Sequence, residues 1–308
     1  MSLILGVDAG GTKTIYALAE GSKVLARTRA GSIKPLRVEF AQAEQHFAEA
    51  MTALAAASGR KISEVTVVVI GTAGISLKQT PDWMRKLVSA HTTARLDLCG
   101  DEEIALDAAF FGGRGVLVMA GTGSNVMGRS SDGLCQNVGG WGPLLGDQGS
   151  GHWVGLEGLR AALRAHDHGR TSGLMASVLE HWQCRAVEDL LTCVYGPEKP
   201  DFSQLAPLVR TAAEAGDADC LAVLERGGRL LGEDAAEACR KVMALDGGVT
   251  PHVAYTGSAI SQIPAIRKAL AAALHAEFPE AKLAEDPVDS VEGALWRARR
   301  VLGLGLEG

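Results

Sequence analysis

The chain has 308 residues, of which 47% are hydrophobic and 21% charged, with a formal net charge of −6. That length is sufficient for two domains with substantial cores, and the composition argues against disorder. This negative net charge does not indicate a basic surface of the kind that binds nucleic acid. No apolar run approaches the ~18–20 residues of a membrane span, so we expect a cytoplasmic protein without a membrane partner.

The first predicted element is a hairpin with glycines in its turn. The apolar runs 3–5 and 14–19 indicate strands on either side of Gly6–Thr14. P-loop and dinucleotide folds need a helix directly after the glycine-rich loop, and neither of their motifs occurs here. Those two nucleotide-binding folds are therefore disfavoured.

The glycines of this turn bring backbone N–H groups within reach of an anion such as phosphate. Thr12 and Thr14 add hydroxyl donors, and Asp8 adds a carboxylate suited to hydrated Mg²⁺. An ordinary glycine-rich hairpin is an equally weighted alternative on this motif alone.

The remainder of the first half alternates between strands and helices. The patterns predict strands over 23–29, 65–70 and 95–99, and helices over 38–58, 81–90 and 104–111. This order predicts a mixed sheet covered by helices, with ligand-binding residues at the strand ends. Asp101 follows one of these strands.

The strand–loop–strand pattern starts again after Gly112–Gly115, which is the predicted domain boundary. The segment 116–120 is a predicted strand, Gly121–Asn125 a second Gly/Thr loop, and 126–129 the returning strand. Two such loops facing each other could hold the phosphates of one nucleotide from both sides.

The second half continues with a glycine-rich loop, Gly139–Gly151, which contains Trp141 and Asp147. The loop is followed mainly by predicted helices, over 153–167, 174–182, 202–215, 217–245, 264–278 and 288–302. Strands are predicted at 253–260, where the strand enters a small-residue turn, and at the sheet edge over 281–284.

Four segments together resemble the N-acetylglucosamine kinases and glucosamine kinases of the BadF/BadG/BcrA/BcrD ATPase family, within the actin/sugar-kinase/Hsp70 superfamily. They are Asp8–Thr14, Ala120–Asn125, Gly139–Gly142 and Gly146–Ser150. The resemblance runs in order from residue 6 to residue 259. It implies ATP and Mg²⁺ as cofactors.

The same resemblance implies an α/β fold with two ribonuclease-H-like (actin-like ATPase) domains, built from mixed five-stranded sheets flanked by helices around a central cleft. Residues 1–114 would form the N-terminal domain, with the terminal helix 288–303 packed back on it. Residues 115–287 would form the C-terminal domain with a helical insertion. We also expect a homodimer.

The resemblance implies a role for individual residues as well. Nucleotide contacts are expected at Asp8, Gly10, Gly11, Thr12, Lys13, Thr14, Gly121, Thr122, Gly123, Gly257 and Ser258, with Asp8 holding Mg²⁺ through water. Sugar contacts are expected at Ser124, Asn125, Gly140, Trp141 and Asp147. Asp101 matches the catalytic carboxylate of these kinases.

The chemistry of sugar phosphorylation requires such residue types. A sugar hydroxyl is a poor nucleophile near neutral pH, so a carboxylate such as Asp101 must orient it and accept its proton. The alternative for Asp101, as for Glu102 and Glu103, is a first-turn acid that complements a helix dipole.

Two further candidates have structural alternatives. Trp141 offers an apolar face to a sugar ring and Asp147 can accept hydroxyl hydrogen bonds, but they could instead be a core tryptophan and a loop-capping aspartate. His152 lacks a set of partners for a metal site and is expected on a helix surface.

One departure limits the choice of substrate. Many bacterial relatives have an asparagine after the third strand that helps to bind the amino sugar, whereas this chain has Gly31–Pro35 without one. Lys34 in this segment could meet an acidic sugar substituent, although a solvated loop lysine is the expected reading.

We therefore expect ATP-dependent phosphorylation of N-acetylglucosamine or glucosamine at the 6-hydroxyl. The alternative is a BadF-type ATPase that activates or regulates a partner protein without a sugar substrate. The related iron–sulfur activators are disfavoured, because the six cysteines are scattered without a cluster-binding pattern.

Overall fold

The computed structural model describes residues 2–35, 37–75, 77–197 and 199–304. It divides into two compact units, one from the N-terminus to Gly113 together with the chain from Val288, the other Arg114–Pro287. No helix in these ranges is long and apolar enough to cross a membrane.

The first unit is built on a five-stranded mixed sheet. Its strands are β1 (Leu3–Ala9), β2 (Lys13–Glu20), β3 (Lys23–Gly31), β4 (Val65–Thr72) and β5 (Arg95–Cys99). Their order is β3-β2-β1-β4-β5, with β1, β2 and β3 antiparallel and β4 and β5 parallel to β1. The predicted hairpin is confirmed, because Ala9 pairs with Thr14 across the glycine-rich turn.

Three helices follow these strands in the predicted order: α1 (Phe40–Ser58), α2 (Gln79–Ser89) and α3 (Asp101–Phe110). Alternate residues of β1 are buried on both faces of the sheet, Leu5 and Val7 in one cluster and Ile4 in another. Helix α1 contributes Phe47 and Leu54 to the first of these clusters, as its periodicity predicts.

The second unit has a mixed sheet in the order β8-β7-β6-β9. The strands are β6 (Gly115–Ala120), β7 (Ser124–Arg129), β8 (Cys135–Gly139) and β9 (Val253–Thr256). The repeat of a strand, a Gly/Thr loop and a returning strand is confirmed, because Ala120 pairs with Ser124.

The expectation of five strands in this second sheet is wrong for the described residues. The segment 281–284 meets β9 only through the bridge between Val253 and Leu283, flanked by two backbone hydrogen bonds of 2.8 Å. Beyond this bridge the two segments are joined by a side-chain contact, in which the Tyr255 hydroxyl donates to the carbonyl of Glu285 at 2.7 Å.

Helices make up most of the second unit. They are α4 (Gly151–Asp167), α5 (Gly173–His181), α6 (Asp189–Tyr195), α7 (Ala206–Glu214), α8 (Ala218–Leu245), α9 (Ser258–Gln262) and α10 (Pro264–Glu277). A 3-10 turn, Phe202–Leu205, precedes α7, so the single helix predicted over 202–215 is two elements. Strand β8 and helix α6 were not predicted.

The last helix, α11 (Ser290–Val301), packs on the first unit. A Cβ atom at Gly293 would overlap the carbonyl oxygen of Ile104, so the two helices α11 and α3 approach more closely than a side chain allows. The Arg297 guanidinium pairs with Asp107 at 2.8 Å and with Glu103 at 3.0 Å. These contacts attach the C-terminal helix to α3.

Candidate active site

In the first glycine-rich turn, Gly10 packs tightly against the backbone, whereas Gly11 has free space beside it. A Cβ atom at Gly10 would lie 2.7 Å from the carbonyl oxygen of Lys13, whereas one at Gly11 would meet only the Arg37 side chain, at 3.6 Å. Thr12 and Lys13 are exposed. The turn therefore presents Gly11, Thr12 and Lys13 to solvent, where a ligand can reach them.

Thr14 differs from its neighbours because its side chain is fully buried. The turn below it is tied to the segment after β3, since the Ser32 hydroxyl donates to the carbonyl of Gly10 at 3.0 Å. The backbone N–H of Lys34 in turn donates to the Ser32 hydroxyl at 3.3 Å. Lys34 is thereby held beside the turn.

Strand register places two predicted site carboxylates at one edge of the first sheet. Asp8 lies opposite Gly71 of β4, and Gly71 lies opposite Cys99 of β5, two residues before Asp101. Burial, and then the charges of Asp101 and Asp289, raise the pKa of Asp8 to about 7. Asp8 and Asp101 are thus close enough to repel each other.

Two lysines partly offset this negative charge. Lys34 and Lys13 act to lower the pKa of Asp8. Burial lowers the pKa of Lys34 itself, and the Asp101 carboxylate opposes that shift. The expectation of a solvated loop lysine is therefore wrong, because Lys34 is partly buried among carboxylates.

The carboxylates of this edge suit a magnesium ion. Mg²⁺ prefers oxygen ligands and is usually held by one or two carboxylates together with waters and substrate phosphates. Asp8, whose ionised form is disfavoured by burial and by Asp101, is a donor that a divalent cation would stabilise. Within the described ranges, no group of three or more His, Cys, Asp or Glu could by itself hold a metal.

The acids that follow Asp101 have different environments. Glu103 accepts the Gly100 N–H at 3.0 Å and pairs with Arg297, so it closes the start of α3 and binds α11. Burial, followed by a hydrogen bond with Asp101, raises the pKa of Glu102 to about 7. Glu103 is therefore a structural residue, while Asp101 and Glu102 interact with each other.

The second Gly/Thr loop is held by the start of α4. The backbone N–H of Gly151 donates to the carbonyl of Gly121 at 2.7 Å, and that of His152 donates to the carbonyl of Thr122 at 3.1 Å. A Cβ atom at Gly123 would lie 2.7 Å from Oδ2 of Asp147. Only glycine allows this carboxylate to approach the loop.

The turn after β9 lies against the same loop. Gly257 has φ +106°, and a Cβ atom there would lie 2.5 Å from the backbone of Ala120. A Cβ at Gly121 would lie 3.8 Å from Gly257 and from the backbone nitrogen of Ser258, which is ordinary contact distance. The two segments that were predicted separately to bind nucleotide are therefore neighbours.

A pocket opens where these two segments meet. The residues that line it include Gly121, Thr122 and Ser258, which were all predicted to contact the nucleotide. The remaining lining comes mainly from α7 and the end of α9 and includes Ala206, Pro207, Arg210, Gln262 and Ile263. The pocket lies entirely within the second unit.

The loop between β8 and α4 presents its aromatic side chain to solvent. Trp141 is 74% exposed, Leu144 95% and Leu145 79%, so the alternative of a core tryptophan is wrong. Gly140, with φ +74°, would place a Cβ atom 2.8 Å from Oδ1 of Asn125. That Oδ1 is buried and has no hydrogen-bond partner among the described residues.

Asp147 is turned inward rather than outward. It is 6% exposed, has φ +57°, and its Oδ1 accepts the Gly142 N–H at 3.0 Å. Burial raises the pKa of Asp147, and hydrogen bonds from the backbone of Gly142 and Ser124 oppose that shift. The structure thus gives Asp147 a loop-capping role. The same loop is also held by the Ser124 hydroxyl, which donates to the carbonyl of Gln148 at 2.9 Å.

The environment of His152 was predicted wrongly from the sequence, and Arg210 was missed. His152 is not on an open helix surface, because its ring packs edge-on against Phe202 with centroids 5.4 Å apart and its pKa is lowered by burial. Arg210 lines the pocket from α7. Neither carries a motif, and only the position of His152 directly after the Gly146–Gly151 segment was a signal.

Two mixed sheets flanked by helices, each with a Gly/Thr hairpin loop, define the class of actin-like ATPase folds. The sequence model of the BadF/BadG/BcrA/BcrD ATPase family matches residues 5–295 of this chain. The chain therefore belongs to that family.

Similar proteins include two kinases with known substrates in their names. The chain is 26% identical to an N-acetylmuramic acid/N-acetylglucosamine kinase from Clostridium acetobutylicum over 97% of this chain and 99% of the relative. It is 28% identical to an N-acetyl-D-glucosamine kinase from Dictyostelium discoideum over 95% and 96% of the two chains. The solved structure of a candidate N-acetylglucosamine kinase from Chromobacterium violaceum is similar with a TM-score of 0.72 and 27% identity, covering 96% of this chain and 98% of the other.

Proposed function

We propose that this protein is an ATP-dependent kinase that phosphorylates an amino sugar, N-acetylglucosamine or glucosamine, at its 6-hydroxyl. The observation that carries the proposal is the pocket in which Gly121 and Thr122 of the second loop meet Ser258 of the β9–α9 turn. The family and the names of the two kinase relatives support the same activity.

Asp101 is the proposed general base. Its carboxylate would accept the proton of the 6-hydroxyl as the oxygen attacks the γ-phosphorus and the bond from that phosphorus to ADP breaks. Such a base typically contributes ~10²–10⁴-fold to the rate. Glu103 already accepts the Gly100 N–H and pairs with Arg297. Asp101 is therefore the better placed of these two acids to act as the base.

Backbone and metal are the proposed binding groups for the triphosphate. Gly11, half-buried, and the exposed residues Thr12 and Lys13 of the first turn would donate to phosphate oxygens, as would Thr122 and Gly123 of the second loop. Asp8 would hold Mg²⁺ through water, and the bound ion supplies charge neutralisation at the phosphates. Magnesium dependence, a homodimer and a cytoplasmic location remain predictions.

The sugar would be bound by the loop between β8 and α4 and by the start of β7. Exposed Trp141 offers its face to the sugar ring, and the unpaired Oδ1 of Asn125 needs a donor such as a sugar hydroxyl. Asp147 holds the loop that carries Trp141.

A second candidate is an ATPase that acts on a partner protein. The exposed side chains of Trp141, Leu144 and Leu145 on one loop would suit a protein surface. The kinase remains the better supported function, because the relatives named as sugar kinases span almost the whole chain.

The experiment that tests the proposal is a coupled ADP-release assay across glucose, glucosamine, N-acetylglucosamine, N-acetylmannosamine and N-acetylmuramic acid. Basal ATP hydrolysis is the control, and phosphorus NMR of the product identifies the 6-phosphate. We expect turnover that depends on N-acetylglucosamine or glucosamine. ATP hydrolysis at the same rate with every sugar and with none would contradict the kinase and favour the ATPase.

A further inference from the structure

Two cysteines of the second unit lie side by side, away from the pocket and from both glycine-rich loops. Cys184 follows α5, and Cys193 belongs to α6. Both are free and half-buried, and their thiols are in hydrogen-bond contact with each other. Within the described ranges no group of three or more metal-ligating side chains occurs, so the pair lacks the further ligands that a metal site requires.

The backbone between the two cysteines holds them together. The Asp189 carboxylate accepts the backbone N–H of Arg185 at 2.8 Å and that of Ala186 at 3.1 Å, so the start of α6 is tied to the residues directly after Cys184. Cys193 lies one helical turn beyond Asp189, on the same face of α6. The helix therefore returns the thiol of Cys193 to that of Cys184.

The two thiols differ in their readiness to react. The Sγ of Cys184 donates to the carbonyl of Trp182 at 3.8 Å, which is a weak contact. Partial burial, and then the neighbouring Cys193 and Asp189, raise the pKa of Cys184, because each disfavours a negative charge on its sulfur. Since the thiolate is the nucleophile in disulfide exchange, we assign the first attack to Cys193.

We propose that Cys184 and Cys193 are a redox-active pair that forms an intrachain disulfide on reaction with a small-molecule disulfide. The Cys193 thiol loses its proton, and its sulfur attacks one sulfur of the oxidant, whose S–S bond breaks and releases the first thiol. The Cys184 sulfur, deprotonated in turn, attacks Cys193 and displaces the second thiol. Two cysteine sulfurs are oxidised, two oxidant sulfurs are reduced, and the two protons pass to the released thiols.

Oxidation of the pair stabilises α6, which has little packing of its own. Of the seven residues of this helix, only Leu190 is buried. A covalent bond from α6 to the residue after Gln183 closes a short loop and removes conformations in which the helix is open. The order of α6 thus depends on the redox state of the pair, independently of the proposed kinase activity.

The test is equilibration of the native full-length protein with oxidised glutathione, followed by alkylation of the remaining thiols, trypsin digestion and mass spectrometry. Trypsin cleaves after Arg185, so the two cysteines fall on different peptides, and their disulfide appears as a linked pair that separates on reduction. We expect this linked pair in wild type and in Cys135→Ser, the control that removes an exposed thiol of β8. Cys184→Ser and Cys193→Ser should lose it completely, and Cys184→Ser should keep glutathione on Cys193.

Hydrogen exchange of the oxidised and reduced protein measures the effect on α6. Exchange of the α6 amides should slow by about tenfold or more on oxidation of wild type, because the disulfide restricts local opening. Oxidised and reduced Cys193→Ser should exchange at the same rate over this helix.

The outcomes decide each part of the inference. The absence of the linked pair from folded wild type overturns it, and so does equal linkage of either cysteine to Cys220 or Cys239, which are buried and react only when the chain unfolds. Unchanged exchange over α6 in the oxidised protein contradicts the effect on this helix. The wild-type measurement needs no variant, and Cys193→Ala replaces Cys193→Ser if the serine variant does not fold.

Discussion

Asp101 begins α3 beside Asp8 and Glu102, and replacing its carboxylate by an amide removes a proton acceptor at nearly constant shape. We expect Asp101→Asn to lower kcat by ~10²-fold or more, with ATP and sugar affinity little changed, because only the transition state requires the proton acceptor. Single-turnover phosphorylation together with calorimetric binding tests this.

The matched control for this variant is Asp82→Asn in α2, which also removes an acid from the first turn of a helix in the same unit. It should retain full activity. Near wild-type turnover of Asp101→Asn would assign the base to another residue, with Glu102 the next candidate.

Asp147 should fail in a different way, because its carboxylate holds the loop that carries Trp141. Asp147→Ala loses the acceptor for the Gly142 N–H and places alanine at φ +57°. We expect sugar binding to weaken by about 1.5–3 kcal/mol, the range for a hydrogen bond to a charged group. Asp147→Asn keeps an oxygen acceptor and tolerates this backbone conformation, so it should bind the sugar more tightly than the alanine variant in the same titration.

Asp8 should make stability depend on pH. Its pKa is about 7 in the folded chain, above its ordinary value of 3.8, so between these two pH values the folded state keeps a proton that the unfolded state has lost. The stabilisation is fully present below pH 4 and is lost as pH rises through about 7. Each unit of pKa difference corresponds to at most about 1.4 kcal/mol, since partial exposure reduces it.

Asp8→Asn cannot lose a proton and should therefore be more stable than wild type, by a margin that grows from pH 5 to pH 8. Urea unfolding at both pH values measures this margin. Asp82→Asn, on an exposed turn of α2, is the comparison. A margin for Asp8→Asn that shrinks with rising pH would contradict the expected sign.

At the scale of elements, the glycines of the second loop have separable roles. Gly121 has room for a methyl group, whereas a methyl group at Gly123 would displace the Asp147 carboxylate. We expect Gly121→Ala to fold normally and bind ATP about tenfold more weakly, because the methyl group occupies space beside the phosphates. Gly123→Ala should lose sugar affinity as well.

Gly173, at the start of α5, has nothing within 4 Å of an added Cβ atom and serves as the control for both changes. Gly173→Ala should leave both affinities at wild-type values. ATP binding by Gly121→Ala at wild-type strength, measured by calorimetry, would contradict the role of this loop.

Elements with strong periodicity or alternation could be predicted from the sequence. The helix predicted over 217–245 is present as α8 despite its glycines, because those residues allow α10 to pack closely: a Cβ atom at Gly232 would lie 2.6 Å from the carbonyl oxygen of Leu270. Strand β8 was missed because none of its side chains is fully buried and its sequence does not alternate apolar with polar residues. Helix α6 was missed because only Leu190 among its seven residues is buried.

Only those parts of the candidate site that lie in local sequence motifs could be predicted from the sequence. The Gly/Thr loops and Asp101 lie next to strand ends, which are readable from the sequence. The inward turn of Asp147 depends on a left-handed backbone conformation, and the place of Arg210 depends on the packing of α7 beside Gln262, 52 residues away. Such tertiary placements leave no pattern in the chain.

At the scale of the whole molecule, the first unit is assembled from both ends of the sequence. Helix α11 covers the face of the first sheet that contains Ile4, Val67 and Val69. Because a Cβ atom at Gly293 would overlap the Ile104 carbonyl oxygen, we expect Gly293→Ala to destabilise this unit by roughly 1–3 kcal/mol or more.

Hydrogen exchange followed by mass spectrometry locates this effect. Exchange in Gly293→Ala should rise over β1, α3 and α11, at both ends of the chain, and remain at wild-type rates over residues 114–287. Gly173→Ala should change neither region. Faster exchange confined to the second unit would contradict the role assigned to α11.

The return of α11 to the first unit also sets an order of events during synthesis on the ribosome. The sheet face around Ile4 and Val67 is covered only in part, by Ile104 of α3, until residues 290–301 have left the exit tunnel. Residues 114–287 are translated in between, which takes on the order of 10 to 30 s at the ~5–20 residues per second of synthesis. The nascent N-terminal part therefore leaves an apolar sheet face partly exposed for that interval, and the second unit, encoded without interruption, can complete its fold first.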